Sequence, residues 1–249
     1  MQQSDKRVLV IIPAFNEETA IVRTVTSIID APMSSDLEVL VVNDGSVDDT
    51  QQKCEAMVAE NPRVHLVNLP FNSGIGAAVQ TGFLYAQRHD FDFAVQYDGD
   101  GQHCVESLET LIHHAITNDL DLCIGSRYLK LDEDNFKSTY LRRVGIRFFA
   151  TLIQALTGAK ITDTTSGFRV YGKRAIAMFS KNYPDDYPEP EAVFRCVHSK
   201  MRVEEIPAKM RERDGGESSI NNLKSAYYML KVTMAILIER LRKREVLHQ

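Results

Sequence analysis

Cysteine is scarce in this sequence, with four residues among 249. No two cysteines form a C-x-x-C pair, and no histidine stands at metal-binding spacing from any of them. Disulfide frameworks and structural zinc sites need such spacings, so the sequence argues against both. We expect ordinary reduced thiols, as in a cytosolic protein.

Long hydrophobic runs are missing as well. The apolar run near the N-terminus is too short and too soon interrupted for a signal peptide. No stretch reaches the roughly 20 apolar residues that a transmembrane helix needs. We therefore expect a cytoplasmic protein, soluble or at most peripheral on the cytoplasmic face of a membrane.

An excess of positive charge is also absent. The formal net charge is −5, whereas a nucleic-acid-binding protein needs a basic face for phosphates, so we expect no nucleic-acid partner. With 44% hydrophobic and 25% charged residues, the chain has the composition of an ordinary globular protein. Its length suffices to bury a sizeable core.

The first half of the chain alternates short apolar runs with stretches of helical periodicity. The pattern predicts buried strands at residues 8–14, 38–42, 64–69, 91–96 and 121–125, and helices at 17–30, 48–60, 74–88 and 105–117. This order predicts an α/β fold of three layers, in which a mostly parallel, Rossmann-like sheet carries helices on both faces. Ligands bind at the carboxyl ends of the strands in such sheets.

The pattern changes in the second half. A long arginine-rich helix at 139–156 precedes a short strand at 167–171, a helix, a strand at 202–210 and a terminal helix. We predict one domain over residues 1–220, followed by an amphipathic C-terminal helix over 221–249.

Two carboxylates, Asp98 and Asp100, directly follow a predicted buried strand. Carboxylates this close repel each other unless a cation shares their charge, and a hard divalent ion bound to carboxylate and diphosphate oxygens is a common arrangement. Gln102 offers a further oxygen. A plain turn is the simpler explanation for Asp and Gly, but the strand-end position and the companion motifs favour a site for Mg²⁺ or Mn²⁺.

Polar loops also follow the first two predicted strands. The first contains Pro13, Phe15, Asn16 and Glu17, and the second contains Asp44. Asp44 is placed to accept hydrogen bonds from a base or ribose, and Phe15 and Pro13 can form an apolar wall for the base. Helix capping is the alternative for Asn16 and for residues 46–48.

A glycine-containing loop over residues 72–78 includes Gly74 and Gly76. Glycine permits close backbone approach to a ligand, and a helix that begins there presents N–H groups to phosphates. The same spacing also occurs where a helix and a strand simply pack tightly, and the sequence leaves that alternative open.

Together these motifs resemble those of a known family. They are P-x-F-N-E at 13–17, V-N-D-G-S-x-D-x-T at 42–50, N-x-G-x-G-A-A at 72–78, D-G-D-G-Q at 98–102 and S-R-Y at 126–128. The same order occurs in inverting family 2 glycosyltransferases of the GT-A fold. The chain is particularly similar to the dolichol-phosphate mannose synthase branch, which includes bacterial polyprenyl-phosphate hexosyltransferases.

The resemblance implies transfer of a hexose from a UDP- or GDP-linked nucleotide sugar, with inversion. It implies donor contacts by Pro13, Phe15, Asn16, Glu17, Asp44, Gly74, Gly76, Asp98, Gly99, Arg213 and Ser218. It implies metal ligation by Asp98, Asp100 and Gln102, and acceptor contacts by Arg127, Arg142, Asp163, Ser166 and Arg169. The candidate catalytic residues are Asp100, Arg127 and Glu191. One departure, Ile146 in place of a common serine, weakens the case for phosphate binding by its helix.

The acceptor is either a phosphate or a hydroxyl. A hydroxyl must lose a proton as it attacks and needs a base, for which Glu191 is the candidate. A lipid phosphate, with a second pKa of roughly 6, is already ionised and needs cations. Arginines suit phosphate geometry, and the available set is Arg127, Arg142, Arg143 and Arg169, with Arg147 fitting an ordinary surface charge.

The sequence therefore favours a polyprenyl or dolichyl phosphate acceptor. Transfer to a hydroxyl of a glycan or lipid-linked saccharide, in cell-surface polysaccharide synthesis, stays the alternative. An inactive nucleotide-sugar sensor is disfavoured because the motifs are intact. A nucleotidyltransferase is disfavoured because no Gly/Arg/Lys-rich loop follows the first strand to bind a triphosphate.

The terminal helix carries an apolar run over residues 226–238, broken by Lys231 and followed by a basic end. It is too short to span a bilayer. It suits the membrane surface, with basic residues at anionic headgroups, or a partner such as a small membrane protein or a second copy of the chain. Packing against the core is the alternative.

Overall fold

The computed structural model describes residues 4–99, 104–129, 140–209 and 222–241. The strands in these ranges are β1 (Ser4–Ala14), β2 (Ser35–Asn43), β3 (Val64–Asn68), β4 (Phe93–Gln96), β5 (Leu122–Ser126), β6 (Arg169–Gly172) and β7 (Val203–Pro207). The helices are α1 (Ile21–Ile29), α2 (Thr50–Glu60), α3 (Ile75–Arg88), α4 (Val105–Thr117), α5 (Tyr140–Thr157), α6 (Lys173–Phe179), α7 (Pro188–His198) and α8 (Asn222–Leu241).

The strands form one sheet in the order β3-β2-β1-β4-β6-β5-β7. β6 runs antiparallel to its neighbours β4 and β5, while the other pairs are parallel. The predicted α/β fold with a mostly parallel sheet is therefore confirmed. Because β6 is reversed, its amino end meets the carboxyl ends of β4 and β5 at one edge.

Helices cover both faces of the sheet, as the burial of alternate β1 side chains on the two faces shows. Val8, Val10 and Ile12 lie in one apolar cluster with residues of α1, α2 and α4. Leu9 and Ile11 lie in the other cluster, with residues of α3 and of the later helices. All five side chains are fully buried, as the uninterrupted apolar run of this strand predicts.

The segment between β6 and β7, for which the sequence predicts one helix, contains two. α6 ends at Phe179 and α7 begins at Pro188. Proline lacks a backbone N–H and is favoured at the first position of a helix, so Pro184 and Pro188 break the segment and start α7. The residue before this start, Tyr187, has a left-handed backbone with φ of 52°.

One face of α8 belongs to the core. Val232 and Ile236 are buried in the same cluster as Leu9, and Glu239 pairs with Arg195 of α7 at 3.5 Å. Core packing, one alternative for the terminal helix, therefore describes its inner face. Of the helices that the structure describes, none combines length with enough hydropathy to traverse a bilayer.

Candidate active site

The loops after β1 and β2 are joined by hydrogen bonds from one residue, Asn16. Its backbone N–H donates to Ser46 Oγ at 3.0 Å, and its Oδ1 accepts from the Val47 N–H at 2.9 Å. Its φ of 55° is a left-handed conformation that asparagine tolerates better than most residues. Ala20 is the N-cap of α1, so Asn16 connects two loops rather than capping that helix.

Asp48 has a structural role in the same region. Its carboxylate accepts hydrogen bonds from the Thr50 N–H at 3.0 Å, from Thr50 Oγ1 at 2.5 Å and from the Glu18 N–H at 3.2 Å. Burial alone would raise the pKa of Asp48, but these bonds outweigh it and lower the pKa. The N-cap of α2 is Asp49, without a side-chain capping bond, so Asp48 joins the loop to the first residue of α2 from one position before the cap.

Asp44 is buried and orients the loop before α3. Its two carboxylate oxygens accept hydrogen bonds from the Ser73 N–H at 2.7 Å and the Gly74 N–H at 2.9 Å. The contact predicted between Asp44 and a base or ribose stays a prediction. In this structure the carboxylate sets the path of the glycine loop.

The two glycines of that loop have different surroundings. A Cβ added to Gly74, whose φ is +90°, would meet nothing within 4 Å. A Cβ on Gly76 would lie 2.3 Å from the carbonyl oxygens of Pro184 and Asp185. Gly74 therefore has open space for a ligand, whereas Gly76 permits tight packing of the 184–185 backbone on α3.

Exposed apolar side chains lie in the loops after β1 and β3 and at the start of α3. Phe15, predicted to face the base, is 44% exposed, while Pro13 is buried in β1. Phe71 and Ile75, which the sequence reasoning did not single out, are 68% and 42% exposed. Apolar residues in a glycine loop do not reveal their exposure by periodicity, so only the structure identifies them as candidate contacts for a base.

Asp98 lies at the centre of the edge, half-buried, just after β4. Gln96 pairs with Arg169, so continuing the antiparallel register places Asp98 opposite Gly167. A Cβ on Gly167 would lie 3.3 Å from Asp98 Oδ1. The Gly99 carbonyl accepts a hydrogen bond from Thr24 Oγ1 at 3.1 Å, which joins this turn to α1.

The predicted metal site is described only through Asp98. Its other predicted ligands, Asp100 and Gln102, lie outside the described residues, as do Arg213 and Ser218. The part of the chain that the structure describes holds no group of three or more acidic, histidine or cysteine side chains suited to a metal. A half-buried carboxylate at a strand end nevertheless has the ligand chemistry of Mg²⁺ or Mn²⁺.

Arg127, directly after β5, forms a buried ion pair with Asp163. Arg127 Nε and Nη2 donate to the two Asp163 oxygens at 2.7 and 2.8 Å, and Nη2 also donates to Thr165 Oγ1 at 2.8 Å. Both side chains are at most 5% exposed. Burial would lower the Arg127 pKa and raise the Asp163 pKa, but their mutual bonds reverse both shifts.

Two predicted acceptor residues have internal contacts. Arg169 is fully buried, and its Nη1 and Nη2 donate to the carbonyls of Glu189 and Thr164, both at 2.9 Å. Ser166 is also fully buried and donates from Oγ to the Gly125 carbonyl at 2.7 Å. Their acceptor contacts stay predictions, since neither side chain reaches the open surface here.

Glu189, in the first turn of α7, is an acidic residue that the sequence reasoning passed over in favour of Glu191. Burial raises the pKa of the Glu189 carboxyl, against the opposing charge of Arg169, and Asp98 and Arg127 also influence it. The Glu189 carbonyl accepts a hydrogen bond from Arg169 Nη1, and Arg169 Nη2 donates to the carbonyl of Thr164, next to Asp163, so Glu189 lies beside the same centre. Both glutamates are half-buried, and the Y-P-E-P-E motif alone does not tell them apart.

A groove of about 520 Å³ opens beside the Arg127 centre. It is lined by Tyr128, by Thr162 and by residues of α5, and its cations are Arg143, Arg147 and Lys160. Arg147, predicted to be an ordinary surface charge, is exposed and faces this groove. Arg142 lies in α5 as well, but its side chain is outside the described residues.

Comparisons with known proteins identify relatives of this chain. The family model described as Glycosyl transferase family 2 matches residues 9–179. An undecaprenyl-phosphate mannosyltransferase from Micrococcus luteus is 33% identical over 222 residues, which cover 86% of this chain and 88% of that protein. A polyprenol monophosphomannose synthase from Mycolicibacterium smegmatis is 31% identical over 235 residues, with coverages of 91% and 86%.

Solved structures show the same fold. Glucosyl-3-phosphoglycerate synthase from Mycobacterium tuberculosis, in complex with phosphoglyceric acid, matches with a TM-score of 0.68 at 17% identity, over 95% of this chain and 80% of that one. A mannosyltransferase from Pyrobaculum calidifontis, in complex with GDP-Man and Mn²⁺, gives 0.60 at 17% identity, over 95% and 63%. The GT-A fold predicted from the sequence is therefore confirmed.

Proposed function

This chain belongs to glycosyl transferase family 2 and is a glycosyltransferase, and we propose that it transfers a hexose from a nucleotide sugar to a polyprenyl phosphate with inversion. An acceptor phosphate oxygen attacks the anomeric carbon while the bond from that carbon to the diphosphate breaks. The nucleoside diphosphate leaves, and no general base is needed because the attacking oxygen is already ionised.

We place the donor at the β1–β4 part of the edge. Phe15 offers an apolar face for the base, and the open space at Gly74 lies at the start of α3, where N–H groups favour a phosphate. Asp98, with Asp100 and Gln102 by sequence, would hold Mg²⁺ or Mn²⁺. When bound there, the cation neutralises charge on the diphosphate leaving group.

The proposal of a phosphate as acceptor rests on the cationic groove beside Arg127. Among its described lining residues, Arg143, Arg147 and Lys160 are basic and none is acidic. Cations of this kind bind a phosphate and provide no base for a hydroxyl. The groove adjoins Arg127 through Tyr128, so a phosphate in it lies beside the predicted donor site. Relatives named for undecaprenyl phosphate and for polyprenol monophosphomannose support the same acceptor class.

The outer face of α8 supports docking on a membrane, where a polyprenyl phosphate resides. Its exposed apolar residues are Tyr227, Leu230, Met234, Leu237, Ile238 and Leu241. They repeat at helical spacing and form a stripe. Val144 and Phe148 of α5, a helix that packs on α8 through Phe149 and Tyr228, are also exposed, by 45% and 42%. The exposed Arg240 and the basic residues after it in the sequence suit anionic headgroups.

A label-transfer assay tests the proposed function. The full chain is given UDP-glucose, GDP-mannose or UDP-N-acetylglucosamine, each labelled in the sugar, with Mg²⁺ or Mn²⁺ and undecaprenyl phosphate in vesicles. We expect label in the organic phase with one donor, and its loss in Asp98→Asn. Arg143→Gln should raise the KM for the lipid, whereas Lys181→Gln, which removes an exposed charge elsewhere, should not.

The same assay separates the alternative acceptor. Donor hydrolysis without lipid labelling, together with label in an added glycan, would contradict the phosphate acceptor and favour a hydroxyl acceptor. Glu191→Gln would then abolish transfer while sparing donor binding. An unchanged lipid KM in Arg143→Gln would contradict the assignment of the groove.

A further inference from the structure

Residues of three different elements converge on the segment that leads into β6 and on the first residue of that strand. Asp98 lies against Gly167, as the 3.3 Å approach to a Cβ at that position shows. Arg127 bonds to Asp163 and Thr165 of the same segment. The backbone of Glu189 is the third contact, because its carbonyl accepts from Arg169 Nη1. Asp98, Arg127 and the first turn of α7, which carries Glu189, therefore meet around this segment.

The position of Glu189 is supported from inside and outside the domain. Inside, the guanidinium of Arg169 holds its carbonyl at 2.9 Å. Outside, Tyr187 packs on Tyr228 of α8 with ring centroids 4.7 Å apart, and Asp186 pairs with Lys231. Both contacts fix the turn before α7 and therefore the backbone position from which the Glu189 side chain extends.

The chemistry of Glu189 excludes most parts of the substrates as its ligand. A carboxylate repels the donor diphosphate and the acceptor phosphate. The base lies away from it, because the loops after β1, β2 and β3 are on the far side of Asp98 in the strand order. The sugar ring remains, and its hydroxyls are hydrogen-bond donors that suit a two-oxygen acceptor.

We infer that the Glu189 carboxylate accepts hydrogen bonds from hydroxyl groups of the donor sugar and contributes to the choice of hexose. The inference rests on the proposed function and specifies part of its donor site. A glutamate carboxylate has two oxygens that accept hydrogen bonds. The partial exposure of Glu189 gives a ligand access to them.

The test compares the affinity for a nucleotide sugar with that for the matching nucleoside diphosphate. Calorimetry with Mn²⁺ uses UDP-glucose and UDP, GDP-mannose and GDP, and UDP-N-acetylglucosamine and UDP. Because the diphosphate lacks the sugar, its affinity should stay unchanged in Glu189→Ala. The preference for the nucleotide sugar should fall about 10- to 100-fold, as expected for loss of hydrogen bonds to a charged group. Asp185→Asn, an exposed carboxylate of the same connecting segment, is the control.

Three results would overturn the inference. An unchanged preference in a folded Glu189→Ala protein would show that the carboxylate does not contact the sugar. A loss of turnover by about 10²- to 10⁴-fold in Glu189→Gln, with the preference retained, would assign Glu189 as a general base instead. A wild-type chain that binds none of the three nucleotide sugars would overturn the proposed function itself, and this inference with it.

Discussion

The two halves of the sheet edge hold their polar side chains in different ways. At the β3–β2–β1 end, Asn16, Asp44 and Asp48 bond to backbone N–H groups of neighbouring loops. At the β6–β5 end, Arg127 donates to a carboxylate and Arg169 donates to two backbone carbonyls. The first half is ordered by polar contacts between adjacent loops, and the second by buried cations.

Because the two halves are held differently, their motif residues differ in how they divide between structural contacts and ligand binding. In the first half, residues expected to bind the nucleoside also build the loops that would surround it. In the second half, Arg127 and Arg169, which were expected to contact the acceptor, bond to groups of the protein itself, and exposed cations of α5 line the groove beside Tyr128. Substitutions in the two halves should therefore destabilise the protein for different physical reasons.

Among these variants, removal of the Asp163 carboxylate should lower the free energy of unfolding most. Asp163→Ala leaves Arg127 charged and buried without its carboxylate, and breaking such a pair costs roughly 3–5 kcal/mol. Urea unfolding of the variant measures this cost. Asp163→Asn should lose less, since it keeps the shape and one acceptor oxygen. Equal stability of wild type and Asp163→Ala would show that the pair contributes nothing.

The Arg127–Asp163 pair also makes the stability of the protein depend on pH. The Asp163 pKa is lowered in the folded state, so its stabilising contribution is complete at neutral pH, above the unfolded value. That contribution is lost as the pH falls through the unfolded value of about 3.9 towards the folded one. Acid unfolding monitored by circular dichroism should therefore begin at higher pH in Asp163→Asn than in wild type.

Two glycines in the loops of the β3–β2–β1 end, Gly45 and Gly74, should differ in the cost of substitution by alanine. Gly45 has φ of +69°, and its added Cβ would lie 2.6 Å from the Phe71 carbonyl carbon. Gly45→Ala should cost roughly 2–4 kcal/mol, from the left-handed backbone and from overpacking together. Gly74→Ala has open space around its Cβ, so it should lose only the cost of a backbone conformation almost restricted to glycine (φ 90°, ψ 162°), about 1–3 kcal/mol. Thermal unfolding of the two variants compares them, and equal losses would contradict the clash.

Asp44→Asn tests whether that carboxylate orders the glycine loop. Asparagine keeps one acceptor but turns an N–H₂ group towards the other backbone N–H, so we expect a loss of about 1–3 kcal/mol. Asp49→Asn, an exposed carboxylate a few residues away, is the control and should be near neutral. Hydrogen exchange at Ser73 and Gly74 reports the loop directly. Retained protection there would argue that Asp44 acts on a ligand alone.

The smallest effect concerns α8. Tyr228 packs on both Tyr187 and Phe149, with centroids 4.7 and 5.5 Å apart, and such pairs contribute about 0.5–1.5 kcal/mol each. Tyr228→Leu should therefore destabilise the chain by about 1–2 kcal/mol in denaturant titration. Tyr227→Leu, on the 63% exposed neighbour, should change little. A larger loss in the second variant would reverse the assignment of inner and outer faces.

Much of the fold was predictable because its signals are local. Apolar runs buried on both faces placed β1 and β2, and the polar motifs after them fell at the predicted edge. The antiparallel β6 and the division of one predicted helix into α6 and α7 were not predicted. Strand direction depends on which neighbours a strand pairs with, and that information is spread over the whole chain.

The site divides in the same way. The layered α/β arrangement, the edge that carries the site and the residue types available there follow from the sequence alone, since strand periodicity and motif spacing are properties of short segments. The three-dimensional contacts were needed to show that Gly76 serves packing, that Arg169 is buried and that the Glu189 carbonyl pairs with Arg169. Each of these depends on contacts between residues far apart in the chain, and burial sets which polar groups remain open to a substrate.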